Sequence, residues 1–321
     1  MTVTHDMLLA MRRGAAELGA LRTAVRDFVL ASRTPDGAFR GRGESSDLYY
    51  TVFALDLLAA LDADVDREAV AAYLRGFGAG EGLDPIHRIC LARCWSRAGH
   101  AGAEPAARAS LLAALTRGRL PDGGYHTISG AARGSVYGAF LAMLAYEDLG
   151  AAPPDPDALI RSVRSLRSAD GGVANDAAMP AGAAAAAAGA LVVLHRLGQP
   201  PDDGIVTWLL AQAFEEGGFL ATPGAPMPDL LSTATALYAL RTVGVLLPEN
   251  RREDTALFVD SLWDERGGYR GHWLDSTPDV EYTFYGLLAK GCLAGEIERA
   301  LERAVQPRKN AEVAENERLV K

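Results

Sequence analysis

Cysteine is scarce: Cys90, Cys94 and Cys292 are the only three in 321 residues. An odd, sparse set without metal-finger spacing excludes a disulfide scaffold and points to reduced thiols in a cytoplasmic protein. Clusters of positive charge are short, as at Arg12-Arg13 and Arg251-Arg252, and both lie on helical patterns. With a formal net charge of −9, the chain lacks the basic surface that a nucleic-acid partner requires. Long apolar runs are missing too. The stretch Ala181–Leu194 is apolar, but it is too short and too rich in alanine to span a bilayer. Near the N-terminus, Asp6, Arg12 and Arg13 flank a very short apolar piece, so no signal peptide is expected.

What the chain has instead is a repeated unit, most complete from Asp36 to Ala63. A glycine turn leads through a short aromatic and basic segment to Asp47, and an apolar run follows. Tyr50, Phe53, Ala54 and Leu57 recur at helical spacing, with Asp47 placed as N-cap for the free N–H groups of the first turn. The unit returns at Glu265-Arg266-Gly267-Gly268-Tyr269-Arg270, followed by Asp279 and another aromatic run. Weaker copies start at Asp122-Gly123-Gly124-Tyr125, Asp170-Gly171-Gly172-Val173 and Glu216-Gly217-Gly218-Phe219. A copy without the double glycine stands at Gly80-Glu81-Gly82-Leu83, before Asp84. Six copies at intervals of roughly 40–50 residues have the period of a helical repeat array.

Taken in order, residues 4–32 read as one or two helices. Helices that follow the glycine turns, rich in Ala, Gly, Tyr and Phe, then alternate with more charged ones at 67–77, 104–117, 157–167, 203–214, 252–263 and 296–305. The first set suits an inner ring and the second a solvent-facing outer ring. The inner helices are expected to begin near Asp47, Asp84, Ser135, Pro180, Asp229 and Asp279. Six pairs can close so that copy six meets copy one, which removes the exposed ends of an open solenoid. Residues 1–306 form one such domain, and 307–321 form a charged, flexible tail. The small residues of Ala181–Leu194 serve either tight helix packing or the wall of a cavity.

The double glycine, the aromatic, the Gly41-Arg42 step, the Asp cap and the aromatic helix start together resemble the repeat of the prenyltransferase and squalene-cyclase superfamily. The particular likeness is to the beta subunits of protein prenyltransferases, and it covers roughly residues 20–305. It implies an all-α fold, an α/α toroid of six helix pairs in a closed barrel. It further implies an isoprenoid-handling enzyme whose hydrophobic small-molecule substrate is a prenyl diphosphate or a prenylated compound. A partner subunit is compatible with it. The superfamily also holds terpene cyclases and non-enzymatic domains, so a terpene-cyclase-like enzyme and a lipid- or protein-binding module are the alternatives. In the transferases a zinc ion is held by Asp-x-Cys and by the His of the next repeat. Here Asp47 and His87 stand in those registers, but Tyr49 replaces the thiolate, so zinc is not expected; two oxygens and one imidazole are compatible with a weakly held divalent ion, and the cofactor is left open. Glu44 stands in the segment where a phosphate-binding Lys belongs, which is unfavourable for a diphosphate. The Asp-x-Asp-Asp acid motif of class II cyclases is absent, and Asp62-Ala63-Asp64-Val65-Asp66 falls at a helix end.

Closure would bring the starts of all six inner helices to one mouth. Asp47, Asp84, Asp229 and Asp279 are N-caps first. Asp47, Asp279, Glu281 and His87 are the catalytic candidates, because they would meet where copies six, one and two adjoin. Glu281 lies inside an apolar helix start that Asp279 already caps. It is either an acid or base with a raised pKa, or the partner of Arg42 or Arg270 in a buried ion pair. His87 is a base, a ligand or a satisfied interior histidine. Tyr49, Tyr50, Tyr137, Tyr282 and Tyr285, with Arg42 and Arg270 on the loops above, are the candidates for substrate binding. Aromatic faces can hold an isoprenoid chain or a carbocation.

Overall fold

The computed structural model describes residues 1–99 and 105–294. Six helices follow glycine turns: α3 (Leu48–Ala60), α5 (Pro85–Arg97), α7 (Val136–Asp148), α9 (Ala184–Arg196), α11 (Leu230–Thr242) and α13 (280–294). These stand side by side as an inner ring. Each has ring neighbours on both sides, an outer helix behind and the ring interior in front, so its side chains are buried almost all round. In α3 this includes Leu48, Val52, Phe53, Leu55, Leu57 and Leu58. The outer helices are α2 (Arg22–Ala31), α4 (Arg67–Arg75), α6 (Pro105–Arg117), α8 (Pro156–Arg164), α10 (Asp203–Leu210) and α12 (Glu249–Ser261). They are two-faced: α2 buries only Val25 and Val29 and leaves its charged side to solvent.

One device sets the turn against the helix in copies one, five and six. The threonine four residues after the cap aspartate donates to the cap carbonyl, as Thr51 does to Asp47 at 2.7 Å, Thr233 to Asp229 at 2.7 Å and Thr283 to Asp279 at 2.6 Å. The same hydroxyl accepts the N–H of the turn aromatic, at 3.1 Å from Phe39, 2.9 Å from Phe219 and 3.1 Å from Tyr269. Copy four departs from the expected start at Pro180. There the Asp170 carboxylate accepts the Gly182 N–H at 3.1 Å and the Val173 carbonyl accepts the Ala183 N–H at 3.0 Å. These bonds hold the chain extended, and α9 begins only at Ala184.

The ring closes, and copies six and one touch. In the sixth turn Gly267, at φ +97°, lies on α2, where a Cβ would run into the Ala24 carbonyl. Thus α2 takes the outer position behind copy six. The outer helix expected at 296–305 and the tail at 307–321 lie outside the described residues. A thirteenth helix, α1 (Val3–Glu17), stands apart from the repeat and crosses the C-terminal ends of the inner helices. The Val3 N–H donates to Glu147 of α7 at 2.7 Å, and Arg241 of α11 reaches Asp6 at 3.1 Å. Gly14 and Gly291 let α1 and α13 touch backbone to backbone. The helix α1 therefore floors the ring.

Candidate functional site

The inner helices enclose a cavity of about 310 Å³, at the small end of the range for small-molecule sites. It is lined in layers that follow the repeat register. The residue two after the cap opens the cavity: Tyr49, Tyr137, Ala185, Leu231 and Glu281. The next turn brings Phe53, Gly189, Thr235 and Tyr285, and the third brings Arg93, Leu144, Val192, Tyr238 and Leu288. Met7 of α1 closes the bottom. One face of α9 is the cavity wall, through Ala185, Ala188 and Gly189, while Ala184 and Ala187 face packed neighbours and are fully buried. Both uses of the small residues are therefore realised. Phe53 meets Tyr49 and Phe284 edge to face, each with ring centroids 5.0 Å apart.

At the mouth, every cap carboxylate is occupied by its own helix. Asp47 accepts the Tyr49 N–H at 2.6 Å, Asp84 that of His87 at 2.9 Å, Asp229 that of Ser232 at 2.7 Å and Asp279 that of Tyr282 at 2.8 Å. His87 stands between two of them, with Nδ1 2.8 Å from Asp84 and Nε2 3.4 Å from Asp47. Arg42 crosses the seam between copies one and six. It binds Asp275 through both terminal nitrogens, at 2.6 and 3.1 Å, and Asp279 through Nε at 2.7 Å. Its guanidinium also lies 5.6 Å from the centroid of the Tyr282 ring. Tyr50 covers Gly41 and Tyr282 covers Gly271, so both rings belong to the rim rather than to the cavity lining.

Glu281 is not the ion-pair partner of Arg42 or Arg270. Arg42 is taken by Asp275 and Asp279. Arg270 turns to the outer layer, where Nη2 donates to the Ser261 carbonyl at 3.3 Å and Nε lies 3.9 Å from Asp264. It therefore does not join the cluster over the mouth. Glu281 instead accepts the Tyr49 hydroxyl at 2.7 Å, and Tyr49 accepts the Tyr137 hydroxyl at 3.1 Å. Burial raises the Glu281 pKa above the ordinary carboxyl value and Asp279 adds to this, while the Tyr49 bond and Arg42 pull the other way. Burial, aided by Tyr137, Tyr285 and Glu281, pushes the Tyr49 phenol far up, so it stays a neutral donor. The result is a directed chain of hydroxyls, Tyr137 to Tyr49 to Glu281, ending on a carboxyl whose pKa burial raises.

A buried ionic group deeper in the ring went unread in the sequence. Arg93 reaches Asp148 at 3.2 Å and Asp56 at 3.3 Å, and Arg97 reaches Asp56 at 2.6 Å and Asp148 at 2.7 Å. Two cations and two carboxylates balance, and all four side chains are nearly shut off from solvent. The register held the signal, because Asp56 and Arg93 each stand nine residues after their cap, Asp47 and Asp84.

The residues in the zinc registers do not fit that ion. Tyr49 is a protonated phenol already donating to Glu281. Cys90, one turn after His87, is buried, and its thiol is pushed up to about 12. Among the described residues, no group of three or more His, Cys, Asp or Glu side chains gathers closely enough to hold a metal. Cys90, Cys94 and Cys292 are buried and form no disulfide, and no described helix is long and apolar enough to cross a membrane.

The profile of the prenyltransferase alpha-alpha toroid domain matches residues 5–87, 89–219 and 187–306. None of the curated proteins matches the chain. Among solved structures, protein geranylgeranyltransferase-I of Candida albicans, complexed with GGPP, is similar at a TM-score of 0.64 and 14% identity, over 90% of that chain and 84% of this one. The type II terpene cyclase MstE of Scytonema, in complex with geranylgeranyl dihydroxybenzoate, gives 0.56 and 13% over 98% and 91%. An unsaturated glucuronyl hydrolase of a Bacillus species gives 0.55 and 16% over 96% and 92%. Likeness at this identity carries the fold and leaves the reaction to the site. On the span of its profile matches, the chain belongs to the prenyltransferase alpha-alpha toroid family.

Proposed function

We propose that the chain is an acid–base enzyme acting on a neutral prenylated small molecule held in the central cavity. The observation that carries this reading is Glu281, a carboxyl with a raised pKa at the head of an aromatic-lined chamber and fixed by Tyr49. A protonated Glu281 gives its proton to the bound molecule. The carboxylate so formed takes a proton from the carbon beside the resulting cation, and no co-reactant is consumed. Phe53, Tyr49 and Phe284 present aromatic surface to that cation. Two of the solved relatives carry geranylgeranyl ligands, which supports an isoprenoid as occupant.

A diphosphate is a poorer match than a neutral head. Arg42 already has two carboxylates, and His87 lies between two more. An incoming diphosphate would meet Asp47, Asp84, Asp275 and Asp279 with their cations engaged, and anion would face anion. The test compares geranylgeraniol with geranylgeranyl diphosphate by calorimetry, then follows turnover of prenylated compounds by wild type and Glu281→Gln. Gln keeps an acceptor for Tyr49. The expected outcome is preferential binding of the alcohol, retained by the variant, with turnover lowered by about 10²–10⁴-fold. A second reading, a lipid-binding module, is favoured by the occupation of every cap aspartate. It would show as tight binding of the alcohol with no turnover by the wild type.

A further inference from the structure

Tyr285 sits one helical turn below Glu281 on α13, about 6 Å deeper along the axis. It lines the cavity and is only 7% exposed. Its hydroxyl has no hydrogen-bond partner among the described residues, whereas those of Tyr49, Tyr137, Tyr125, Tyr146 and Tyr238 are all bonded. Burial, with Glu281, Tyr137 and Tyr282, keeps the phenol neutral, and the charge of Arg93 pulls its pKa the other way. Arg93, also on the cavity wall, uses Nε for Asp148 and Nη2 for Asp56. Its Nη1 makes no hydrogen bond among the described residues. Tyr285 and Arg93 thus both line the chamber, and neither the Tyr285 hydroxyl nor Arg93 Nη1 has an acceptor among the described residues. Native interiors seldom leave such groups without an acceptor.

We infer that Tyr285 and Arg93 form a subsite for a neutral oxygen acceptor, such as a carbonyl, epoxide or ether, carried by the isoprenoid ligand inside the cavity. This rests on the proposed function and names its substrate class. The acceptor is neutral because the charge of Arg93 is already balanced, Arg93 and Arg97 against Asp56 and Asp148. A carboxylate brought here would add an unbalanced buried charge. The subsite also sets the ligand's oxygen one turn below Glu281, within the same chamber as the proton the proposed reaction uses.

Tyr285→Phe removes one donor without touching the ion network. Since the hydroxyl has no partner among the described residues, the variant should melt at or above the wild-type temperature. The probes share one chain of fifteen carbons: farnesene, farnesyl methyl ether, farnesal and farnesoate. Displacement of a fluorescent lipid should rank farnesal and the ether above both farnesene and farnesoate. In Tyr285→Phe, farnesal and the ether should lose about 3–10-fold in affinity, the worth of one buried hydrogen bond, while farnesene is unchanged. Equal binding of farnesene and farnesal, or an equal loss for both in the variant, overturns the subsite and leaves the isoprenoid reading standing. Stronger binding of farnesoate than of farnesal overturns the neutral acceptor. Failure of all four probes to bind overturns both readings.

Discussion

At the scale of single residues, His87 shows how the mouth is tied together. Burial opposes its charge, but the Asp84 hydrogen bond and the two carboxylates outweigh it, so its pKa is raised. Burial likewise opposes ionisation of Asp84, but the backbone and ring N–H groups of His87 outweigh that and lower its pKa. A raised histidine contributes its full stability below the unfolded value, about 6.5, and loses it as pH rises through the folded value. A lowered aspartate contributes above its unfolded value, about 3.9, and loses it as pH falls through the folded one. The pair is therefore complete between about pH 4 and 6.5. His87→Gln should lower the melting temperature most near pH 5.5, and the gap from wild type should narrow towards pH 8.5. A gap of constant size across that range would mean that His87 is held neutral.

At the scale of elements, the floor helix α1 depends on two glycines. A Cβ at Gly291 would meet the carbonyl of Ala10, and one at Gly14 the carbonyl of Leu287. Neither obstacle is a side-chain tip that can swing aside. Gly291→Ala must push α1 off α13, with an expected loss of about 2 kcal/mol or more in urea unfolding. Because α1 carries Met7 into the cavity, the same variant should also loosen binding of a prenol. A variant as stable as wild type would show that α1 docks more loosely than this packing requires. The glycines were visible in the sequence, but their use was not, because close approach of two helices depends on partners 277 positions apart.

At the scale of the whole molecule, closure makes the array one cooperative body. Arg42 joins copy one to copy six through Asp275 and Asp279, and the sixth glycine turn rests on α2. An open solenoid can fray from its ends, whereas a ring has no end repeat from which to begin. Trp95, Trp208, Trp263 and Trp273 are spread over copies two, four and six. Their fluorescence and the helical circular dichroism should therefore give coincident transitions in denaturant. Two separated transitions would mean that the seam opens before the rest unfolds.

The amino-acid sequence by itself determined the repeat, its period, the caps and the two-layer plan. These follow from local rules: glycine where the turn meets a neighbouring backbone, aspartate at the free N–H groups, small and aromatic residues on helices buried all round. It also placed Asp47, His87, Asp279 and Glu281 at one mouth once closure was assumed. Tertiary structure alone decided who bonds to whom across the seam. Arg42 could not be assigned to Asp275 and Asp279 over Glu281 by spacing, because that choice depends on how far the closing ring turns copy six against copy one. The same holds for Tyr49 on Glu281, for Arg270 turning outward, and for α2 filling the outer position behind copy six. The Tyr285 hydroxyl, without a partner among the described residues, has the same origin. A tyrosine six residues after its cap reads as core, and only the space left by the alanines of α9 across the ring makes it the wall of a chamber.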